Sequence, residues 1–201
     1  MTQALSKPLT FEEFLDWYPE DGRRYELIEG EIVEMRPVGQ HELIASFIDA
    51  ELTLEIRRLQ LPYFSSRNTL VKPQRPGSAD LPDVIVLDRE ALGTDPYWEQ
   101  FSTISVGSSA RLVVEVVSTN WQDDYLRKLA DYETLGIPEY WIVDYLGLGA
   151  TRYIGKPKQS TISVYQLIEG EYQVSQFRGA EQVMSPTFPD LALTATQVFQ
   201  A

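Results

Sequence analysis

The chain has 201 residues, of which 43% are hydrophobic, and carries a formal net charge of −13 at pH 7. This length and apolar content are enough for one well-buried domain, and no low-complexity linker divides the sequence, so we predict a single domain over residues 1–201. The negative charge argues against a protein that coats nucleic acid without sequence preference, because such binding depends on neutralising phosphates with Lys and Arg.

The chain contains no cysteine, which excludes disulfides and thiolate metal sites and is compatible with a reducing compartment. Any metal must therefore be held by oxygen atoms or by the one histidine, His41. Residues 1–8 lack the apolar core of a signal peptide, and no run approaches the ~20 apolar residues of a spanning helix. We expect a soluble, cytoplasmic protein without a membrane segment.

The first half of the chain begins with local signals for a helix and a hairpin. Thr10 and Glu13 have the spacing of a capping box, which predicts the start of a helix. A Glu29-Gly30 pair between two alternating segments is typical of a hairpin turn. The elements predicted here are a helix from residue 11 to Pro19, strands over 24–28 and 31–35, a helix over about 41–60, and strands over 64–71 and 84–87.

The second half alternates between strands and helices. The continuous apolar run from Leu112 to Val117 predicts a central strand buried on both faces. Because strand, helix and strand follow one another, a mixed or parallel sheet with helices on its faces is favoured. The remaining predicted elements are a helix from about residue 120 that Gly136 and Pro138 terminate, a strand over 140–143, a hairpin of 163–168 and 172–174, and a short helix near Ala195.

Lys128 lies on what the sequence predicts to be a buried helix face. The 3.6-residue period places it with Trp121, Tyr125, Tyr132 and Leu135. Lysine is rarely buried without a partner, so this ammonium group is a candidate functional group. An ordinary i,i+4 ion pair with Asp124 is the alternative explanation.

Two acids stand beside buried strands. Asp83 follows Pro82 and begins an apolar run, and Glu115 lies inside the central strand. Two carboxylates and an inward lysine can hold a divalent metal ion and a phosphate group. The alternatives are that Asp83 is a turn residue at a strand end and that Glu115 is a buried acid satisfied by backbone donors.

An internal repeat helps to separate structure from function. Residues 25–31 and 165–171 differ at one position only, Glu26 against Gln166. The shared Glu-Gly turn is explained by hairpin structure, so Glu26 remains as a possible functional residue. His41 is an accessory candidate, with a polar residue near a helix start as the alternative.

The residues between Glu55 and Asp80 include no acid. This stretch carries Arg67, Lys72 and Arg75, which we predict to contact nucleic-acid phosphates. A solvated surface is the alternative explanation.

Several segments together form a recognisable pattern: Tyr25-Glu26-Leu27-Ile28-Glu29-Gly30, His41, Pro82-Asp83-Val84, Val114-Glu115-Val116-Val117-Ser118, Asp124 with Lys128, Tyr132, Gly136, and Pro138 to Asp144. The acids and the lysine resemble the PD-(D/E)XK nuclease superfamily, and the whole pattern is similar to the Uma-type family of bacterial restriction-endonuclease-like proteins. The resemblance covers about residues 11–193. Two positions depart from the usual pattern: Val117 stands where the superfamily has its lysine, and Thr119 stands where the family has proline.

The resemblance implies a restriction-endonuclease-like α/β fold, a mixed β-sheet flanked by helices, with N-terminal and C-terminal β-hairpins. It implies that Asp83 and Glu115 bind Mg²⁺ or Mn²⁺, that Lys128 supplies the ammonium group from the following helix, and that Glu26 orients water or completes a second site. Because two strands need two sites, it also suggests a homodimer. No nucleotide cofactor is expected.

The predicted function is therefore that of a metal-dependent DNA phosphodiesterase. A catalytically silent nuclease fold that acts as a DNA-associated or protein-interaction module is the second hypothesis, and the acidic net charge favours it. A hydrolase of small phosphate esters is the third.

Overall fold

The structure is a computed structural model that describes residues 7–201. The predicted absence of a signal core concerns residues 1–8 and so lies mostly outside the described residues. Within residues 7–201 no helix is long and apolar enough to cross a membrane.

The described chain combines helices and strands, and β7, the helix that carries Lys128 and β8 follow one another as the sequence predicts. The helices are α1 (Phe11–Trp17), α2 (Gly39–Leu59), α3 (Arg89–Leu92), α4 (Trp98–Phe101), α5 (Leu129–Leu135), α6 (Thr151–Ile154) and α7 (Ala195–Phe199), with a 3₁₀ turn at Gly107–Ser109 and a π-helical turn at Asp123–Lys128. The strands are β1 (Arg24–Ile28), β2 (Glu31–Met35), β3 (Tyr63–Ser66), β4 (Leu70–Val71), β5 (Val84–Asp88), β6 (Thr103–Ile104), β7 (Ala110–Val116), β8 (Glu139–Asp144), β9 (Thr161–Ile168) and β10 (Glu171–Phe177).

A six-stranded sheet in the order β10-β9-β8-β7-β5-β3 forms the centre of the fold. Strands β7 and β8 are parallel, and the other neighbours are antiparallel. Val114 and Ile48 pack on one face with α2 and α7, whereas Val113 and Tyr140 pack on the other face with the helix that carries Lys128. This arrangement confirms the predicted mixed sheet flanked by helices.

The two predicted hairpins are present and play different parts. The C-terminal hairpin β9–β10 extends the central sheet, whereas β1–β2 forms a separate two-stranded sheet. Reciprocal hydrogen bonds of 2.9 Å between Leu27 and Ala79 attach β1 to the segment before β5. The N-terminal hairpin is thereby held beside the start of β5, where Asp83 lies.

The prediction of one continuous strand over 64–71 is wrong, because this segment forms two short strands. The chain turns after Ser66, whose hydroxyl accepts hydrogen bonds from Asn68 N and Thr69 Oγ1. The first half becomes the edge strand β3, and the second half becomes β4, which pairs with β6 in a small separate sheet. The side chains of Ser66 and Thr69 and the backbone N–H of Asn68 form local hydrogen bonds that compete with hydrogen bonding between strands, and the predicted strand is therefore interrupted here.

The helix that carries Lys128 also departs from regular α-helical geometry. Its first part, Asp123–Lys128, is π-helical, and only Leu129–Leu135 is α-helical. The end of this helix packs closely on the 3₁₀ turn before β7. A Cβ atom on Gly107 would lie 2.2 Å from the carbonyl oxygen of Leu135 and 2.6 Å from the carbonyl carbon of Gly136.

Replacing Gly107 by Ala should therefore force the backbone apart where the Lys128 helix meets the sheet. We expect a loss of about 1–3 kcal/mol in the free energy of unfolding, measured by urea denaturation. Gly39→Ala is the matched control, because a Cβ there meets no atom within 4 Å and lies in the first turn of α2. Equal stability of Gly107→Ala and Gly39→Ala would show that this contact does not constrain the fold.

Candidate functional site

The central sheet brings Asp83 and Glu115 together. In the antiparallel pairing of β5 with β7, Val84 lies opposite Val114. Continued by one residue, this register places Asp83 opposite Glu115, and such opposite side chains point to the same face of a sheet. The backbone N–H of Val116 donates a hydrogen bond of 2.8 Å to Asp83 Oδ2. Both carboxylates therefore lie at one end of the sheet, on the face covered by the Lys128 helix.

Lys128 is buried and enclosed by acids. Its Nζ lies 2.9 Å from Glu26 Oε1 and 2.9 Å from Glu115 Oε1, and the residue is 3% exposed. Among the described residues Asp124 is not within ion-pair distance of this ammonium group, so the ordinary i,i+4 pair does not form. The π-helical turn directs both Asp124 and Lys128 inward, and turns of this type are frequent at functional sites.

Glu26 reaches the same ammonium group from the N-terminal hairpin. Its Oε1 also accepts a hydrogen bond of 3.0 Å from Leu81 N. Gln166, at the equivalent place of the repeated sequence, is exposed on β9. The shared turn has the same backbone conformation in both hairpins, with φ of 52° at Glu29 and at Glu169. The one position that differs within the repeat is thus the one that enters the site.

His41 and Arg24 surround Asp83. His41 Nε2 lies 3.2 Å from Asp83 Oδ2, and an Arg24 guanidinium nitrogen lies 3.8 Å from Asp83 Oδ1. Arg24 also donates to the carbonyl oxygen of Pro82 at 3.0 Å. Asp83 is therefore not a simple turn residue, and Arg24 is a site residue that the sequence analysis missed.

The two central acids have opposite electrostatic states. Burial raises the pKa of Glu115 to about 7 although Lys128 opposes the shift, and the charges of Asp83 and Glu26 add to the increase. Burial also acts on Asp83, but the hydrogen bond and charge of His41 outweigh it and hold the pKa of Asp83 below its usual value. The same interaction raises the pKa of His41 in spite of its burial. At neutral pH the site combines an ionised acid with one that is close to its pKa.

Each central carboxylate has one oxygen occupied and one available. Lys128 Nζ and the Tyr132 hydroxyl, each at 2.9 Å, both donate to Glu115 Oε1. Among the described residues no donor contacts Glu115 Oε2, and Asp83 Oδ1 has only the distant Arg24 group. Glu115 is thus satisfied by side chains and not by backbone donors, and one carboxylate oxygen of each acid is left for a ligand.

These residues form the floor of a cleft of about 470 Å³. Asp124, a buried residue, also lines the cleft, and no described residue donates a hydrogen bond to its carboxylate. Burial raises the pKa of Asp124 well above its usual value, although Lys128 opposes the shift. The sequence pattern marked Asp124 only as a partner for Lys128, and nothing in its spacing indicated that it faces the cleft independently.

A second buried ion pair lies beside this cluster. Arg127 contacts Asp80, and its other guanidinium nitrogen lies 3.7 Å from Glu26 Oε2. Burial raises the pKa of Asp80 to about 6, an effect that the charge of Arg127 opposes. Neither residue was predicted, because an Asp after Ala79 and an Arg beside Lys128 give no distinct sequence signal. Their positions support Glu26 from the side away from Lys128.

The donor set fits a hard divalent cation. The described residues contain no group of three or more His, Cys, Asp or Glu side chains arranged to hold a metal ion. Mg²⁺ does not require one, because it prefers oxygen ligands, keeps several waters and is usually held by one or two carboxylates. The available oxygens of Asp83 and Glu115 provide such a pair.

The three predicted phosphate-binding cations lie in different surroundings. Arg67 Nε donates to the carbonyl oxygen of Asp83 at 3.1 Å, and another of its nitrogens lies 2.6 Å from Glu42 Oε1. Lys72 lies over the Phe11 and Tyr97 rings, at 5.1 and 5.4 Å from the ring centroids, and Arg75 pairs with Asp131 at 3.1 Å. Of the three, Arg67 is the one in contact with a residue of the site.

The aromatic residues of the Lys128 helix belong to the core. Tyr125 and Tyr132 are fully buried, and Trp121 and Leu135 are half-buried against the same cluster. The prediction that these residues lie on the buried face of the helix, together with Lys128, is confirmed.

The comparisons with known proteins point in one direction. The model of the Uma2 family, described as "Putative restriction endonuclease", matches residues 11–196. A crystal structure described as that of "a putative nuclease belonging to DUF820" from Anabaena variabilis is similar in fold, with a TM-score of 0.72 and 19% sequence identity. The similarity covers 96% of this chain and 98% of that one. No protein among those with curated descriptions matches the sequence significantly.

Replacing Lys128 by Met should destabilise the protein in a pH-dependent manner. Without the ammonium group, which opposes the shift, the folded-state pKa of Glu115 moves further above its unfolded value. Stability is then lost as the pH rises through this window. We expect a loss of about 3–5 kcal/mol at pH 8, and a much smaller loss at pH 5, where Glu115 binds a proton.

Chemical denaturation of Lys128→Met at the two pH values measures this difference. Lys158→Met is the control, because Lys158 is exposed and donates only to the carbonyl oxygen of Leu148. A loss of stability in Lys128→Met that is the same at pH 5 and pH 8 would contradict the proposed charge coupling.

Proposed function

Since the chain belongs to the Uma2 family of restriction-endonuclease-like proteins, we propose that its cleft hydrolyses DNA phosphodiester bonds with the help of a divalent metal ion. The observation that carries this proposal is the convergence of Asp83, Glu115 and Lys128 in one cleft, with one available oxygen on each acid. A phosphodiester is negatively charged and resists attack by water, so a cation and an ammonium group beside it are both useful.

Asp83 and Glu115 would hold Mg²⁺ or Mn²⁺ through Oδ1 and Oε2. When bound, such an ion supplies positive charge for the phosphate and lowers the pKa of water. Lys128 uses two of its three N–H donors for Glu26 and Glu115. The third donor is available for a phosphate oxygen or for the attacking water.

We assign positioning roles to Glu26 and His41. Glu26 holds the Lys128 ammonium group, and Leu81 N fixes Glu26 in turn. His41 holds Asp83 in its ionised form, which a cation-binding acid requires. The Arg127 and Asp80 pair supports Glu26 from the other side.

DNA binding, subunit number and location complete the proposal. Arg67 is the best placed of the predicted phosphate-binding residues, because it contacts the backbone of Asp83. Lys72 and Arg75 would have to leave their internal partners to contact DNA. We propose action on DNA in the cytoplasm, which the absence of cysteine accommodates, and a homodimer on the strength of the family resemblance alone.

A divalent cation should stabilise the folded protein. Adding Mn²⁺ or Mg²⁺ should raise the melting temperature, because the ion binds the native carboxylates and relieves their repulsion. Asp83→Asn should abolish the shift. Asp16→Asn is the control, because it removes one exposed carboxylate that does not line the cleft. This variant should keep the shift in melting temperature. Equal manganese binding by both variants in calorimetric titration would rule out Asp83 as a ligand.

Cleavage of DNA is the direct test of the activity. Wild-type protein should cut DNA in Mg²⁺ or Mn²⁺, and Asp83→Asn should reduce the rate of cleavage at least about a hundredfold. Even changes to residues that only hold a metal ligand in place reduce activity about 10–100-fold. Asp16→Asn, purified in the same way, controls for host nuclease. Cleavage that is equal in the two variants would count against this site.

The absence of cleavage with intact metal binding would instead favour the catalytically silent hypothesis. In that case the fold serves as a DNA-associated or protein-interaction module.

A further inference from the structure

The cleft has an acidic floor and an apolar mouth. Val38, in the segment that joins β2 to α2, is 65% exposed, and Leu146, after β8, is 59% exposed. Both side chains line the cleft, and so does Tyr145, which is half-buried against the core on the α2 face. Val33, Met35 and Pro37 add further apolar surface to the lining. Exposed apolar groups that adjoin a polar site are typical of a place where a ligand with an apolar part binds.

The mouth offers few cations to a DNA backbone. Three Lys or Arg side chains line the cleft among the described residues, and Arg24 and Lys128 lie at its floor. The third, Arg36, is exposed but already donates two hydrogen bonds of 2.9 Å to the Glu34 carboxylate. Binding of duplex DNA depends more strongly on contacts of Lys and Arg with phosphates than binding of a single strand does, because a duplex releases more counterions per contact. The lining does not match that requirement.

The depth of the floor leads to the same conclusion. Glu115 and Lys128 are each 3% exposed, and Asp83 is 7% exposed. A phosphodiester must enter the cleft to reach these groups. A cleft of about 470 Å³ has the size that holds one drug-sized ligand, whereas a phosphate of a duplex brings the paired strand and the stacked bases with it. A single strand, or a nucleotide turned out of its stack, can enter.

On these grounds we propose that the substrate is single-stranded or locally unpaired DNA, with an unpaired base packed against Tyr145, Val38 and Leu146 while its phosphodiester lies over Asp83 and Glu115. Aromatic rings bind bases of any sequence because every base has a π face. This inference rests on the proposed function for the identity of the substrate. It does not require a homodimer, because a single strand is cut at one site.

Binding measurements test the inference independently of cleavage. Fluorescence anisotropy, with Ca²⁺ in place of Mg²⁺, would compare four ligands: a labelled single strand, the same strand in a duplex, an abasic strand of equal length and charge, and an RNA of the same sequence. We expect the wild type to bind the single DNA strand at least about tenfold more tightly than the duplex or the abasic strand.

Two pairs of variants locate the base. Tyr145→Leu and Leu146→Asn should each weaken binding of the base-containing strand, by about tenfold for Tyr145→Leu, and should leave binding of the abasic strand unchanged. Tyr63→Leu is the control for the first, because Tyr63 is also half-buried on the same core but does not line the cleft. Val174→Asn is the control for the second, since Val174 is exposed on β10. Both controls should bind like the wild type.

The outcomes separate this inference from the proposed function. Duplex binding as tight as single-strand binding, equal binding of the abasic strand, tighter binding of RNA, or no binding at all would overturn the inference. Asp83-dependent cleavage of duplex DNA in such a case would leave the phosphodiesterase proposal standing. Base-dependent single-strand binding without any cleavage would support the cleft assignment and remove the proposed enzymatic activity.

Discussion

The candidate site depends on the ion pairs that the buried ammonium group of Lys128 forms with two acids. A lysine that is removed from water needs acidic partners, and this one has Glu26 and Glu115, each at 2.9 Å. The partners come from different elements, since Glu26 lies on the N-terminal hairpin and Glu115 on the central strand, while Lys128 itself lies in a π-helical turn. Packing these three elements correctly is therefore the same event as assembling the candidate site, and the stability of the fold and the state of the site are coupled.

The acids of the cluster differ in their electrostatic states. Asp83 is held ionised by His41, whereas Glu115 has a pKa near neutrality and Asp124 has a pKa well above its usual value. A cation that binds between Asp83 and Glu115 would relieve their repulsion and release protons from the raised acids. Buried acids with shifted pKa values that line a cleft are frequent at functional sites.

The sequence predicts those parts of the site that depend on patterns within a single strand, helix or hairpin. The continuous apolar run of β7 places Glu115 inside a buried central strand, and helical spacing places Lys128 inward. The repeated hairpin sequence singles out Glu26 as its one variable position. Contacts between distant segments leave no such signal. The position of Arg24 beside Asp83 depends on how the hairpin attaches to the segment before β5, and the partners of Lys72 are aromatic rings far away in the chain. Two local backbone features were also not predicted. One is the turn at Ser66, which divides a predicted strand, and the other is the π-helical turn, which directs Asp124 into the cleft.

The most direct test of a cation-binding site built around Lys128 is a crystal structure of the protein grown with Mn²⁺ and measured at the manganese absorption edge. We expect one anomalous peak in contact with Asp83 and Glu115, with Lys128 still paired to Glu26 and outside the coordination sphere. An anomalous peak elsewhere, or a fully occupied metal that does not contact either acid, would contradict it.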